Sequence, residues 1–178
     1  MKWYNKSYFK NNLQANGSSQ SVANYFFPLD GIRNWNRLYG KNGFYQYQFV
    51  VDESSALTCI EKVLAFFNLN NIPPYLCVIK KHGDLPSPGL LSFPFKGFSI
   101  ALDVPYHEGL LLKMQELDDI ILPFGGRVYL AKDGHLSVDS FEKMYPKASQ
   151  YKTIVATVNK GEMVTTMAKR LNLVTIKG

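Results

Sequence analysis

The stretch Gly43-Phe44-Tyr45-Gln46-Tyr47-Gln48-Phe49-Val50-Val51 decides the fold that this sequence predicts. Apolar and aromatic side chains alternate in it with glutamines, and a period of two is typical of a strand that has one buried face. The opposite face then carries Gln46 and Gln48. The predicted buried face carries Tyr45, Tyr47, Phe49 and Val51.

Helices and strands alternate after this first strand. Asp52 is predicted to cap a helix whose apolar residues recur at intervals of four, three and four residues. A second helix repeats these intervals and ends at Gly125-Gly126. Further strands are predicted at residues 75–82, 98–104 and 126–133. The two repeated apolar sets are Ala56, Ile60, Val63 and Phe67, and Leu110, Met114, Leu117 and Ile121.

The order strand, helix, strand, strand, helix, strand predicts an α+β fold. Its core would be an antiparallel sheet with a duplicated split βαβ (ferredoxin-like) arrangement and both helices on one face. A chain of 178 residues can build one substantial core, so we expect a single domain over residues 1–178. Residues 25–30 are predicted to enter a turn. Extra terminal helices are predicted at residues 2–11, 137–145, 148–158 and 163–172.

The sheet face without helices is polar but lacks the charge mixture of an idle surface. Amide side chains there could donate to and accept from a hydroxylated ligand without adding net charge. The last predicted strand ends in Lys132-Asp133, which is either a solvated exit or part of a site. A merely solvated face is the alternative. The predicted face carries Gln46, Gln48, Lys80, His82, Ser99, Asp103, Arg127 and Tyr129.

Composition excludes several classes of function. The net charge of +6 comes from basic residues spread along the chain rather than from a stripe that could track phosphates, so no nucleic-acid partner is expected. Phosphate loops, nucleophile elbows and metal-ligand spacings are missing from the sequence, so no metal site is expected. Cys59 and Cys77 form no paired motif, and no signal peptide or membrane span is recognisable, so we expect a cytoplasmic protein. Association with a membrane surface stays open.

An ordered set of short motifs resembles the C-terminal half of the decaprenylphosphoryl-β-D-ribose oxidase family. These enzymes are FAD-dependent oxidoreductases of the vanillyl-alcohol oxidase and aldonolactone oxidase type. Each motif alone is weak, but the ordered set is specific and covers nearly the whole chain. The motifs are Asn34-Trp35-Asn36-Arg37-Leu38-Tyr39-Gly40, Gln46-Tyr47-Gln48-Phe49-Val50, Lys80-Lys81-His82-Gly83, Leu91-Ser92-Phe93-Pro94, Leu102-Asp103-Val104-Pro105, Tyr129-Leu130-Ala131-Lys132-Asp133, Met144-Tyr145-Pro146 and Met167-Ala168-Lys169-Arg170-Leu171.

The resemblance implies a substrate-binding or cap domain that works with an N-terminal FAD-binding domain and is inactive alone. It implies oxidation of a secondary alcohol of a sugar, or of a polyprenyl-phosphate sugar, by hydride transfer to flavin. Lys132 is implied as the catalytic and cofactor-binding residue, with Tyr129 beside it. The implied substrate-binding residues are Gln46, Gln48, Lys80, His82, Ser99 and Tyr129.

Three positions depart from the family pattern. Ser99 stands in place of an asparagine, Ala101 in place of a cysteine and His82 in place of an aromatic residue. These changes leave the oxidase class in place but weigh against a decaprenyl-phosphate sugar as the substrate. Strand alternation would also turn Lys132 toward the helices unless the strand ends or bulges before it.

Two other classes of function are compatible with the pattern. A ferredoxin-like sheet also serves small-molecule regulatory domains, which would bind a ligand without any flavoprotein. An aromatic sheet can stack RNA bases, although this sequence lacks the basic and aromatic pattern of such proteins.

Overall fold

The computed structural model describes residues 6, 7, 9–11, 19, 21–27, 30, 31, 33–159 and 162–174. The chain divides into two compact units, Met1–Gly43 and Phe44–Gly178. The candidate site residues lie in the second unit.

The first unit contains short helical segments. Residues 6, 7 and 9–11 are helical, and the remainder of the helix predicted at 2–11 lies outside the described residues. Helix α1, Val22–Phe26, begins where the side chain of Ser21 accepts a hydrogen bond from Asn24 N at 3.1 Å. The sequence analysis predicted no helix here, because it overlooked serine as an N-cap. The turn predicted at residues 25–30 follows the helix, where Asp30 N donates to Phe27 O at 3.1 Å. A 3₁₀ helix follows at Trp35–Tyr39.

The second unit is built on a four-stranded antiparallel sheet. Its strands are β1, Phe44–Asp52; β2, Leu76–His82; β3, Gly97–Pro105; and β4, Arg127–Val128. Their spatial order is β2-β3-β1-β4, and every neighbouring pair is antiparallel. Helix α2, Ala56–Leu69, connects β1 to β2, and helix α3, Leu110–Ile121, connects β3 to β4. The predicted α+β fold with its split βαβ order is confirmed.

The core lies between the sheet and the two helices. On the sheet it contains Tyr47, Phe49 and Val51 together with Ile100 and Leu102. The helices contribute the repeated apolar positions, which the sequence predicted from their spacing. Burial of these side chains holds both helices on one sheet face. Of the repeated apolar positions, the fully buried ones are Val63, Leu110, Met114, Leu117 and Ile121.

The start of α2 differs from the prediction. Ser55, rather than Asp52, occupies the N-cap position. The carboxylate of Asp52 accepts hydrogen bonds from Ser54 N at 2.9 Å and Ser54 Oγ at 2.6 Å. Asp52 therefore stabilises the turn that precedes the helix, as aspartate commonly does two residues before its partner.

The fourth strand is much shorter than predicted. Strand β4 ends at Val128, and a 3₁₀ helix occupies Leu130–Lys132. Asp133 Oδ1 accepts from the backbone amides of His135, at 2.9 Å, and Leu136, at 2.8 Å. These bonds favour a turn over a continued strand because an aspartate side chain replaces the ladder partners of the following amides.

Three further helices complete the second unit. They are α4, Val138–Met144; α5, Ala148–Asn159; and α6, Thr166–Arg170. Ser137 caps α4 as the sequence predicted, since its side chain accepts from Ser140 N at 3.1 Å. None of the helices among the described residues has the length and apolar character that a membrane span requires.

Candidate functional site

The strand register brings the predicted site residues onto one sheet face, here called the open face. Gln46 lies opposite Asp103, and Gln48 lies opposite Ala101. Lys80 lies opposite Ser99. Because residues opposite each other share a face and alternate residues keep it, the face shared by these pairs is the one turned away from α2 and α3. The residues on the open face are Gln46, Gln48, Val50, Leu76, Val78, Lys80, His82, Ser99, Ala101, Asp103 and Arg127.

A carboxylate holds one of the two glutamines. Gln46 Nε2 donates to Asp103 Oδ1 at 2.6 Å. The side chain of Asp103 is almost fully buried, with 3% of its residue surface exposed, whereas Gln46 is only half-buried. Asp103 therefore lies beneath the surface of the open face, and Gln46 lies nearer to the solvent.

Part of the open face is covered, so the expectation of a bare sheet was too simple. Phe93, in the loop between β2 and β3, is buried and stacks on Tyr129 at 4.6 Å between ring centroids. It also meets the ring of His82 edge-on at 6.4 Å. His82 Nε2 lies 2.8 Å from Ser99 Oγ, so these two side chains satisfy each other. Elsewhere on this face, Gln46 and Gln48 are half-buried, and Lys80 is exposed.

Arg127 contributes to the structure rather than to an open site. Its guanidinium donates to Met144 O and Ser92 O, each at 2.8 Å. It also lies over the rings of Phe95, at 5.2 Å, and Tyr145, at 4.9 Å. Burial lowers the pKa of Arg127 from its ordinary value. These contacts occupy the cation, which fixes the loop and α4 to the end of the sheet.

Lys132 stands in the turn that leaves the sheet beside Gln48. Tyr129 N donates to Gln48 O at 2.8 Å, and Lys132 N donates to Tyr129 O at 2.9 Å. The 3₁₀ turn ends strand alternation after Val128, so parity no longer directs Lys132 toward the helices. Its side chain is exposed, and among the described residues no carboxylate forms an ion pair with it.

The turn that bears Lys132 is anchored by its neighbour Asp133. Besides the two backbone amides, the fully buried carboxylate of Asp133 pairs with Arg170 Nη2 at 2.8 Å. Arg170 also donates to Leu136 O. A buried carboxylate needs several donors to offset its lost hydration, and these donors come from the turn itself and from α6.

Beneath the turn, on the helix-covered side, a buried polar network joins β1 to α3. Tyr47 Oη donates to Asp118 Oδ1 at 2.8 Å. Tyr45 Oη accepts from Gly134 N at 2.7 Å and lies 2.8 Å from His135 Nδ1. Since Tyr45 Oη accepts from Gly134, its own proton is free to donate to Nδ1. That assigns the histidine proton to Nε2, which lies 3.1 Å from Asp118.

Burial shifts the protonation equilibria of this network. The pKa of Asp118 is raised, chiefly by desolvation, although the hydrogen bond from His135 opposes that shift. Desolvation also raises the pKa of the Tyr45 and Tyr47 hydroxyls, and the Asp118 charge adds to the shift at Tyr47. Among the described residues, no well-directed hydrogen bond reaches the buried Asp118 Oδ2, although His135 Nε2 lies 3.1 Å from it, and this is consistent with the raised pKa of the carboxyl group.

Comparison with known proteins supports the resemblance read from the motifs. No protein-family model matches the chain. The chain is 35% identical over 173 residues to decaprenylphosphoryl-β-D-ribose oxidase of Mycolicibacterium smegmatis. The alignment covers 96% of this chain and 36% of that enzyme. The chain is a relative of part of decaprenylphosphoryl-β-D-ribose oxidase.

A second match is shorter. The chain is 35% identical over 98 residues to an uncharacterized protein in mprA 5'region of Streptomyces coelicolor. This alignment covers 54% of this chain and 26% of that protein. The chain thus spans about a third of the length of decaprenylphosphoryl-β-D-ribose oxidase and about a quarter of the length of the Streptomyces relative.

Sequence reasoning placed Gln46, Gln48 and Lys80 on the open face but missed the carboxylate that holds Gln46. Asp103 was assigned to that face without a partner. The sequence does indicate its role, because a carboxylate within the apolar strand predicted at 98–104 needs a hydrogen-bond donor, which a residue opposite it on the neighbouring strand can supply. The link from Asp133 to Arg170 had no such signal, because 37 residues separate the partners.

Proposed function

We propose that this chain is the substrate-binding half of an FAD-dependent oxidoreductase. The reaction would oxidise a secondary hydroxyl of a sugar or a related alcohol. Support comes from the similarity to decaprenylphosphoryl-β-D-ribose oxidase and from the chemistry of the open face. The FAD would be held by an N-terminal domain of the same parent protein, so this chain alone is expected to be inactive.

The single observation that carries the proposal is the hydrogen bond from Tyr129 N to Gln48 O. It attaches the exposed Lys132 turn to the strand that bears Gln46 and Gln48. A cation and two hydrogen-bonding amides therefore occur at one end of the sheet. A hydride-transfer site needs this pairing, with a positive group for the developing charge and neutral groups for the hydroxyls.

The residues present fit a flavin by their donor chemistry. Two amides, a tyrosine and a lysine without an ion pair among the described residues offer donors and a positive charge. The one carboxylate on this part of the face, Asp103, already accepts a hydrogen bond from Gln46. When bound, FAD supplies the hydride acceptor.

The chain's own residues then have distinct roles. Lys132 stabilises negative charge, and Tyr129 contacts the cofactor and the substrate. The amides of Gln46 and Gln48 orient the sugar hydroxyls. Lys80 lies on the open face and can meet an anionic group of the substrate, such as a polyprenyl-linked phosphate. His82 and Ser99, which contact each other, shape the far wall.

The substrate is assigned as a class. A sugar with a free secondary hydroxyl fits the amides and Lys80, and a lipid-linked sugar would bring the protein to a membrane surface. The replacements at His82, Ser99 and Ala101 change the wall of the pocket relative to the family pattern. Specificity among such sugars is therefore expected to differ from that of decaprenylphosphoryl-β-D-ribose oxidase.

The experiment uses a chimera in which this chain replaces the matching region of the M. smegmatis oxidase. Purified chimera should be yellow, and a panel of sugars and lipid-linked sugars should bleach its flavin under anaerobic conditions. Replacing Lys132 by Met should slow that bleaching by about 100-fold or more, as expected for the loss of a preorganised charge. The fold should persist, since the side chain is exposed.

Lys147→Met is the matched control, because Lys147 is also exposed and lies outside the sheet. It should bleach at the wild-type rate. Equal rates for Lys132→Met and Lys147→Met would remove Lys132 from the mechanism. A flavin-loaded chimera that no member of the panel reduces, but whose isolated chain binds a small molecule, would favour a regulatory binding domain instead.

A further inference from the structure

The amide of Gln46 is held in one orientation by its neighbour on β3. The amide nitrogen Nε2 of Gln46 donates to Asp103 Oδ1 at 2.6 Å, which is the role that an amide NH₂ group has toward a carboxyl oxygen. With Nε2 committed to Asp103, the carbonyl Oε1 is turned the other way. Among the described residues, no group donates a hydrogen bond to Gln46 Oε1. This oxygen is also not one of the buried polar atoms that lack a partner, so it is accessible to solvent.

The side chain of Asp103 is buried, whereas that of Gln46 is only half-buried. Asp103 has 3% of its surface exposed, so it contacts protein rather than a ligand. Gln46 is half-buried and lies in strand β1. Among the contacts of Asp103, the hydrogen bond from Gln46 is one through which it can act on a ligand.

We propose that Asp103 is a positioning residue that fixes Gln46 as a hydrogen-bond acceptor on the open face. The site then selects a ligand that presents a hydroxyl proton at this point and discriminates against a keto or O-methyl group. This inference rests on the proposed function for its ligand class, but the orientation of Gln46 does not. An acceptor fixed beforehand avoids the entropy of ordering a free amide when the ligand binds.

The neighbouring glutamine offers a contrast within the same strand. Gln48 lies opposite Ala101, which has no polar side-chain atom. Among the described residues no hydrogen bond engages its side-chain amide, which can therefore present either its oxygen or its nitrogen to a ligand. Gln46 and Gln48 lie about 7 Å apart along one face of β1, a distance that one sugar ring can bridge. One fixed acceptor and one adaptable amide would recognise two hydroxyls of such a ring.

The first test measures orientation in the chain itself. The side-chain amide protons of Gln46 should give two separate nuclear magnetic resonance signals, one of them shifted downfield and slow to exchange with water. In Asp103→Asn that shift should disappear, because an asparagine amide accepts or donates equally well and releases the glutamine to flip. Gln150, which is exposed on α5, gives the reference for a free amide. Gln46 signals like those of Gln150 in the wild-type chain would overturn the proposal.

The second test exchanges the donor and the acceptor between positions 46 and 103, so that an acceptor still faces the ligand. In the double variant Gln46→Glu with Asp103→Asn, the asparagine can donate to one glutamate oxygen, and the other oxygen faces the ligand as an acceptor. In Gln46→Glu alone, two carboxylates face each other and repel. In the chimera, KM for the hydroxylated substrate should rise about threefold in Asp103→Asn and at least tenfold in Gln46→Glu, as expected for one weakened and one broken hydrogen bond. The double variant should return to within about threefold of the wild-type KM.

The ranking of the KM values of the three variants shows whether Asp103 positions Gln46 or only supports the fold. If Asp103 only supports the fold, the two changes should add, and the double variant should be the worst of the three. That result would overturn the proposal. If no sugar reduces the flavin of the wild-type chimera, the proposed function fails, and the nuclear magnetic resonance comparison still decides the orientation of Gln46.

Discussion

The two faces of the sheet both contain polar groups, but those groups are held differently. On the helix-covered face, Tyr47, Asp118 and His135 are all nearly inaccessible to solvent and are bonded to one another. On the open face, Gln46 and Gln48 remain half-buried, and Lys80 is exposed. The comparison teaches that polarity alone does not mark a site. Polar groups that satisfy one another fix the fold, whereas groups with unused donors and acceptors are available to a ligand.

The largest expected difference is in stability. Leu117 on α3 is fully buried, and Leu117→Ala should lower the free energy of unfolding by about 3 kcal/mol through lost burial and a cavity. Gln48→Ala on the open face should change it by less than about 0.5 kcal/mol. Chemical denaturation of both variants makes the comparison. A large loss at Gln48 would mean that the open face is a structural surface.

A smaller effect is expected where the Lys132 turn is anchored. Arg170→Leu removes the cation that meets the buried carboxylate of Asp133 and should cost about 2 kcal/mol, because two backbone donors still hold that carboxylate. Lys143→Leu breaks an exposed ion pair with Asp139 at 2.6 Å and should cost much less stability than Arg170→Leu, because exposed ion pairs contribute little. Urea unfolding of both proteins compares them. Equal losses would mean that Arg170 does not secure the turn.

The smallest expected effect is a dependence of stability on pH. Because the pKa of Asp118 is raised in the folded protein, the folded state holds this proton more tightly than the unfolded state between pH 3.8 and the folded pKa. The contribution of Asp118 to stability therefore falls as the pH rises through that window. Asp118→Asn should therefore gain stability relative to the wild type as the pH rises through that window.

Unfolding free energies of wild type and Asp118→Asn at several pH values measure this gain, since the two proteins share their other carboxyl groups. The gain should be smaller than the losses at Leu117 and Arg170. A difference that stays constant with pH, or that shrinks as the pH rises, would show that Asp118 ionises easily in its buried place.

The two faces of the sheet could be predicted from the sequence because the alternation of side chains in β1 depends only on neighbouring residues. The alternation from Tyr45 to Val51 predicted which face of the sheet is buried in the core. The apolar spacing from Leu110 to Ile121 predicted a helix that covers this face. The open-face positions of Gln46, Gln48 and Lys80 followed from the same alternation and are confirmed by the register.

The sequence could not predict the features that depend on distant partners. Asp118 occurs next to Asp119 in a helix, and such a pair is usually solvated, yet its carboxylate meets Tyr47 across 71 residues. The end of β4 was also missed, because a 3₁₀ turn at Leu130–Lys132 follows it and the ion pair of Asp133 with Arg170, which anchors that turn, joins residues far apart in the chain. The roles of Lys132 and of the other site residues stay predictions.

The most direct measurement is lysine labelling of the isolated chain and of the flavin-loaded chimera, read by mass spectrometry. If the open face is one half of a two-part pocket, Lys80 and Lys132 should label more slowly in the chimera, whereas Lys147 should label at the same rate in both. Equal labelling of Lys80 and Lys132 in the two proteins would contradict the claim that this face meets a flavin-binding partner.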